Sequence, residues 1–133
     1  MLSMNNLACF ELEEGEPAKA LELFTRVEFD AKALTMTRTG ATALAGQADA
    51  LLAFGSPKEA SEAAARGASL AKERGLPGEE GLCRRALAQA LAAMDRRDEA
   101  LIQALRTAEL LSTGLDAQEL AKARTIVSEL GGS

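Results

Sequence analysis

The sequence contains no histidine, no tryptophan and no tyrosine, and only four of its 133 residues are phenylalanine. Without an imidazole, the chain cannot build a Ser-His pair, a histidine general base or a histidine metal ligand. Valine and isoleucine number two each, whereas there are 28 alanines and 21 leucines. Alanine and leucine favour helices, while β-branched and aromatic residues favour strands. The composition therefore predicts an all-α fold and excludes much enzyme chemistry.

Basic residues are fewer than acidic residues, with 15 lysines and arginines against 20 aspartates and glutamates, so the net charge is −5. The only basic cluster comprises Arg84, Arg85, Arg96 and Arg97. Acidic residues stand among these arginines at helical spacing, which is typical of ion pairs on one helix face. The cluster is too small for DNA, although it could bind an acidic segment or a phosphate. We expect no nucleic-acid partner.

Long apolar runs are absent, because charged residues interrupt every Ala/Leu stretch well before the roughly 20 residues that a bilayer requires. The segment 1–6 carries no basic residue, so we expect no signal peptide. Cys9 and Cys83 lack a CxxC spacing and fall within apolar helical patterns, where a cysteine usually acts as a small buried hydrophobe. These features predict a cytoplasmic protein with reduced thiols and no membrane contact.

Catalytic and metal-binding motifs are missing as well, and the sequence has no Gly-rich phosphate loop or nucleophile elbow. The one acidic cluster comprises Glu11, Glu13, Glu14 and Glu16. General acid–base catalysis needs two carboxyl groups in a dry cleft, whereas these glutamates surround a predicted turn that faces water. The cluster also lacks the alternating oxygen ligands of a calcium loop. We therefore expect no enzyme activity, no cofactor and no metal.

What the sequence does have is an internal repeat. One constant shift along the chain aligns the segments Gly15–Ala20, Gly55–Ala60 and Asp95–Ala100. Each aligned segment begins with a turn residue and ends with alanine, and each follows a similar apolar pattern. The predicted repeats are about 1–36, 37–76 and 77–115, followed by a capping helix at about 116–130, all within one domain that spans 1–133.

Apolar residues at intervals of three and four predict two helices in each repeat. The predicted helices are about 2–13 and 17–33, 40–53 and 57–74, 79–94 and 97–112, and finally 117–130. Threonine and glycine between 35 and 40 favour a break there. In the last helix, Glu119, Lys122 and Glu129 are predicted to face water.

The repeated positions have a physical explanation. A short turn between antiparallel helices needs a residue that tolerates left-handed geometry, and Gly15 and Gly55 supply it. The two helix axes lie closest near that turn, so a small residue is required where Ala20, Ala60 and Ala100 stand. One pair cannot bury its own apolar stripe, and pairs are therefore expected to stack.

These residues resemble the tetratricopeptide repeat. The first copy has Leu7-Ala8, Gly15, Ala20 and Phe24 at the family spacing, and Val27 fills the next small apolar position. The chain departs from the family in its period of about 40 residues against about 34, in Asp95 at a turn glycine position, and in its lack of tryptophan and tyrosine. It is similar to the long-repeat variant found in bacterial transcriptional activators and signalling adaptors. The resemblance implies a right-handed α-solenoid of three antiparallel helix pairs plus a capping helix.

The resemblance also implies a binding face, because the first helix of each pair lines a concave surface in that family. It places on this face Asn5, Asn6, Cys9, Leu12, Glu13, Thr42, Asp49, Leu52, Arg85 and Gln89. Mixed polar and apolar residues suit an extended peptide or a partner helix. We expect a non-catalytic protein-interaction module within a larger bacterial regulatory protein. The alternatives are a sensor that binds a small ligand in the groove and a module that self-associates through its terminal helices.

Overall fold

The computed structural model describes the backbone of residues 4–33, 37–111 and 117–130, and the side chains of 6–29, 37–111 and 119–130. Within these ranges the chain forms seven α-helices and no strand. They are α1 (Met4–Glu13), α2 (Pro17–Ala33), α3 (Thr37–Ala53), α4 (Pro57–Glu73), α5 (Pro77–Ala93), α6 (Arg97–Leu111) and α7 (Ala117–Glu129). The all-α prediction is confirmed.

The starts of α2 to α7 recur at one constant interval, at positions 17, 37, 57, 77, 97 and 117. Two of these starts, those of α3 and α5, differ from the predicted boundaries. The break predicted across 35–40 is too long, because α3 begins at Thr37 and continues through Gly40. Gly40 is buried inside α3, so packing against neighbouring helices outweighs its low helix propensity. Helix α5 likewise begins at Pro77, ahead of the predicted start at 79. Proline suits a first turn, where its missing N–H has no intrahelical partner.

The turns at 14–16, 54–56, 74–76 and 94–96 share one backbone geometry. Their central residues have positive φ angles: 81° at Gly15, 91° at Gly55, 67° at Gly75 and 61° at Asp95. In the second turn, Ser56 N–H donates to the Leu51 carbonyl at 2.8 Å and Gly55 N–H donates to the Leu52 carbonyl at 3.1 Å. This is the Schellman pattern, and it recurs in the other three turns.

Each of these turns also begins the following helix. Ala60 N–H donates to the Ser56 carbonyl at 3.0 Å, and the equivalent bond forms at Ala20, Glu80 and Ala100. Three residues therefore end one helix and start the next, which reverses the chain into an antiparallel hairpin. Asp95 can replace glycine because aspartate is among the few non-glycine residues that adopt left-handed geometry.

The helices form two layers. Each helix packs against its neighbours in the chain, and the inner helices α1, α3, α5 and α7 also pack against one another in sequence. Within the described ranges, the backbones of the outer helices α2, α4 and α6 do not approach one another closely, although an ion pair between Arg66 and Glu28 links α4 to α2. Because inner helices are closer together than outer helices, the stack curves with the inner layer on its concave side. The architecture is that of a helical repeat, an α-solenoid-like stack closed by α7.

Small residues fill the core where helices cross. Ala20, Ala60 and Ala100 are fully buried, as the spacing predicted. The largest fully buried side chain is Phe24, whose ring lies against Gly46 of α3. A Cβ atom at Gly46 would stand 2.2 Å from that ring. Glycine at this position therefore allows α2 and α3 to pack around one aromatic side chain.

Candidate binding surface

The ten residues predicted to line a binding face all lie on inner helices. Helix α1 carries Asn5, Asn6, Cys9, Leu12 and Glu13, α3 carries Thr42, Asp49 and Leu52, and α5 carries Arg85 and Gln89. The Asn5 side chain lies outside the described residues. The repeat thus brings the candidate residues into one layer, because every hairpin presents its first helix on the same side of the stack.

Arg85 is the centre of this surface, and it is only 2% exposed. Its guanidinium donates to both carboxylate oxygens of Asp49, with 3.0 Å between Nη2 and Oδ2. Nε donates to Glu119 Oε1 at 2.6 Å, and Nη1 donates to Gln89 Oε1 at 2.9 Å. Glu119 also accepts from Lys122 Nζ at 3.0 Å. One arginine therefore joins three inner helices, α3, α5 and α7.

The charges around Arg85 keep it protonated. Burial alone would lower the pKa of its guanidinium, but Asp49 and Glu119 outweigh that effect and raise the pKa. Two carboxylates balance the charges of Arg85 and Lys122, which is the condition under which buried charges are tolerated. The guanidinium thus bonds to side chains of its own chain and ties the inner helices together.

The network corrects two predictions about charged residues. Glu119 was predicted to face water, but it is buried, because it pairs with Arg85. The basic cluster does not form one patch, since each arginine has a separate acidic partner. Arg84 pairs with Glu80, Arg85 with Asp49 and Glu119, Arg96 with Glu99, and Arg97 with Asp95. The interpretation of this cluster as ion pairs is confirmed, but the expected arrangement on one water-facing helix face is wrong for Arg85, which is buried and pairs with α3 and α7.

The two cysteines have different environments. Cys83 is buried, as predicted, and its thiol lies 3.3 Å from the Ala41 carbonyl oxygen. Cys9 is exposed on α1, so the prediction that it is a buried hydrophobe is wrong. Partial desolvation raises the pKa of the Cys9 thiol, and Asp49 and Glu13 raise it further. Asp49 and Glu13 thus place negative charge near Cys9 on the inner surface, and Lys122 partly offsets it.

Burial of Cys83 makes stability depend on pH. Desolvation raises the pKa of its thiol to about 12 from the ordinary 9.0. The thiol therefore ionises in the unfolded chain from about pH 9 but stays neutral in the folded chain until about pH 12. Stability from this group is fully present below pH 9 and is lost between pH 9 and 12, with a slope of up to about 1.4 kcal/mol per pH unit.

Urea unfolding at pH values below and above 9 measures this slope. We expect Cys83→Ala to flatten the dependence, whereas Cys9→Ala, at the exposed thiol, has a smaller effect. An unchanged slope in Cys83→Ala contradicts the assignment to this thiol.

The other candidate residues divide between open and packed positions. Asn6 and Glu13 are exposed, and Asp49 and Gln89 are half-buried. Leu12 and Leu52 pack partly against the alanine-rich clusters of their own hairpins. The Thr42 hydroxyl donates within α3, to the Arg38 carbonyl at 3.0 Å. The structure thus brings the polar residues Cys9, Glu13, Asp49, Arg85 and Gln89 together.

Helix α7 contributes residues that the sequence prediction missed. Glu119 and Lys122 join the network around Arg85, and Lys122 also lines a cavity of about 360 Å³ beside Gln89, Thr125 and Ile126. The available signal was Arg85 itself, since an arginine beside the apolar stripe of a core helix needs a buried acidic partner. The spacing alone did not indicate which acid that was.

Further observations define the chemistry of the described residues. No group of three cysteine, aspartate or glutamate side chains among them is placed to hold a metal ion. None of the helices in the described ranges has both the length and the apolar character needed to cross a membrane. Comparison with protein-family models and with curated proteins finds no match for this chain. Support for a function therefore comes from the geometry and charge of the inner layer.

Proposed function

We propose that this chain is a non-catalytic protein-interaction module that binds an extended peptide or partner segment along its inner layer. The observation that carries the proposal is the alignment of α1, α3, α5 and α7 side by side, with exposed or half-buried polar side chains along them. Extended peptides suit such surfaces, because side chains from successive helices can each contact a successive part of the peptide. The ion pairs of Arg85 hold α3, α5 and α7 in register.

We further propose that the module belongs with tetratricopeptide-like repeats. The support is the constant period of the hairpins, the turn that ends one helix and caps the next, and the buried alanine after each hairpin turn. These features make the hairpins equivalent units, each presenting its first helix on the concave side. A repeat of this kind supplies a surface for a partner without supplying reactive groups.

The charge of the inner layer favours a basic partner. Glu13 is exposed beside Cys9, and Asp49 is half-buried with Arg85 beneath it. Burial is the main cause of the raised pKa of the Cys9 thiol, and the negative charges of Asp49 and Glu13 raise it further. A lysine or arginine of a bound peptide would reduce this negative potential. We therefore propose a peptide with basic residues beside apolar ones.

Selection from a library of random linear peptides tests the proposal. We expect basic peptides to be enriched, and we expect Glu13→Gln to weaken their binding about fivefold, the equivalent of about 1 kcal/mol for one exposed ion pair. Glu62→Gln is the matched control, because Glu62 is exposed on the outer helix α4. The proposal fails if no peptide is enriched, or if the control weakens binding as much as Glu13→Gln.

A small-molecule sensor is the second candidate function. The cavity of about 360 Å³ between α5 and α7 falls within the size range of small-ligand pockets. Lys122 at its edge favours an anionic ligand. A thermal-shift screen of small carboxylates and phosphates tests this function, since a ligand that binds only the folded chain raises its melting temperature. The sensor candidate predicts that Lys122→Gln abolishes the shift, and an unchanged shift contradicts it.

A further inference from the structure

Helix α1 exposes large apolar side chains at positions that are buried elsewhere in the repeat. Phe10 is 52% exposed, whereas Ala50 and Ala90, at the equivalent positions of the second and third repeats, are both 0% exposed. Leu7 is also exposed, whereas its equivalents Gln47 and Leu87 are buried and half-buried, respectively. The difference arises because α3 and α5 each have an outer helix packed on this face, whereas no helix in the described ranges packs on it in α1.

The structure shows what normally covers this face. On α3 it is covered by α2, since Ala50 packs with Phe24 and the Gln47 amide donates to Glu28 at 3.3 Å. On α5 it is covered by α4, since Ala90 clusters with alanines of that helix. The occupant of this face is therefore a helix packed along its length. No helix in the described ranges covers it on α1.

The opposite end of the stack does not offer a matching surface. On α7, Arg124 and Ser128 are exposed, while their equivalents on α3, Leu44 and Ala48, are buried against α4. The open face of α7 is therefore polar. Head-to-tail stacking of α1 on α7 would desolvate Arg124 against Leu7 and Phe10, which is unfavourable for an unpaired charge.

We propose that two copies of this chain associate through α1, packed antiparallel about a twofold axis. Phe10 of one copy then contacts Leu7 of the second copy, and the reverse contact forms by symmetry. Glu11, Glu13 and Glu14 lie at the end of α1, and the described part of that helix has no basic residue. A parallel pair would place these acids side by side. The antiparallel pair separates the glutamates of the two copies. It also brings the glutamates of each copy near the positive N-terminal end of α1 in the other copy.

The proposed dimer is weak and leaves the inner layer available. A helix of 10 residues is about 15 Å long. Such a short helix buries less area than a stable protein interface. Association is thus expected to depend on protein concentration, with most of the binding energy at the aromatic side chain.

Sedimentation equilibrium of the full chain over a series of concentrations tests the proposal. We expect a monomer–dimer equilibrium, and we expect Phe10→Ser to raise its dissociation constant at least about tenfold. Ile102→Ser is the matched control, since Ile102 is 63% exposed on the outer helix α6 and should leave the equilibrium unchanged. Circular dichroism checks that both variants keep the helical content of the original chain.

Three results would overturn the proposal. If the chain stays monomeric at every concentration, the exposed face of α1 does not bind a second copy. Assembly that grows beyond two copies would indicate head-to-tail stacking instead of a twofold pair. An equal loss of association in Ile102→Ser would show that contact is nonspecific.

Discussion

Replacing Arg85 with alanine is expected to destabilise the folded chain by about 3–5 kcal/mol, the usual cost of removing one partner from a buried ion pair. The substitution leaves the carboxylates of Asp49 and Glu119 facing a site that has lost its positive charge. It also removes the ion pairs that connect α5 with α3 and α7. Urea unfolding followed by circular dichroism measures the loss.

Two further variants distinguish the effect of losing a buried ion pair from the effect of losing a positive charge. Arg66→Ala removes an exposed arginine whose guanidinium lies 3.7 Å from Glu28, and its expected cost is below about 1 kcal/mol. Adding Glu119→Gln to Arg85→Ala should recover part of the loss, because a buried amide costs less than a buried carboxylate that has lost its arginine partner. If Arg85→Ala and Arg66→Ala cost the same, the network does not hold the inner layer together.

The second large effect concerns the aromatic core of the first hairpin. Phe24→Ala is expected to cost about 3–5 kcal/mol, since it removes the largest fully buried side chain and leaves a cavity against Gly46. Phe29→Ala is the matched control on the same helix. Phe29 is exposed, so its replacement should change stability by less than about 0.5 kcal/mol. Thermal or urea unfolding of the two variants gives the comparison.

A double-mutant cycle tests the contact between Phe24 and Gly46 directly. Gly46→Ala alone should cost about 1–3 kcal/mol, because the new methyl group overlaps the Phe24 ring. In the Phe24→Ala background the same methyl group enters vacated space, so its cost should be smaller or should become a gain. Additive effects of the two substitutions would contradict the packing of this ring on Gly46.

The helical architecture could be predicted because its signals are local. Glycine at 15, 55 and 75 indicates the turns, and apolar spacing indicates the helices between them. The start of α3 could not be predicted in the same way, because threonine and Gly40 disfavour a helix locally. Only burial of Gly40 in the stack reveals that tertiary packing outweighs this preference.

The candidate surface was predictable in its location but not in its chemistry. The repeat indicated which helices share a layer, and it therefore grouped Cys9, Asp49 and Arg85 correctly on inner helices. The pairing of Arg85 with Glu119 depends on how closely α5 approaches α7, which no spacing along the chain expresses. The exposure of Cys9 depends likewise on how the neighbouring helices pack against α1, which the local apolar pattern does not express.

The uniform turn determines how this surface can change in length. Since each of the four described turns closes with its own backbone hydrogen bonds, one added hairpin would present one more inner helix in the same orientation. The inner helices α3 and α5 each have 17 residues and are therefore about 25 Å long. An added helix of the same size would keep the width of the surface constant while its length grows. Under the proposed function, the number of hairpins would therefore set how long a partner segment can be bound, independently of which residues specify that partner.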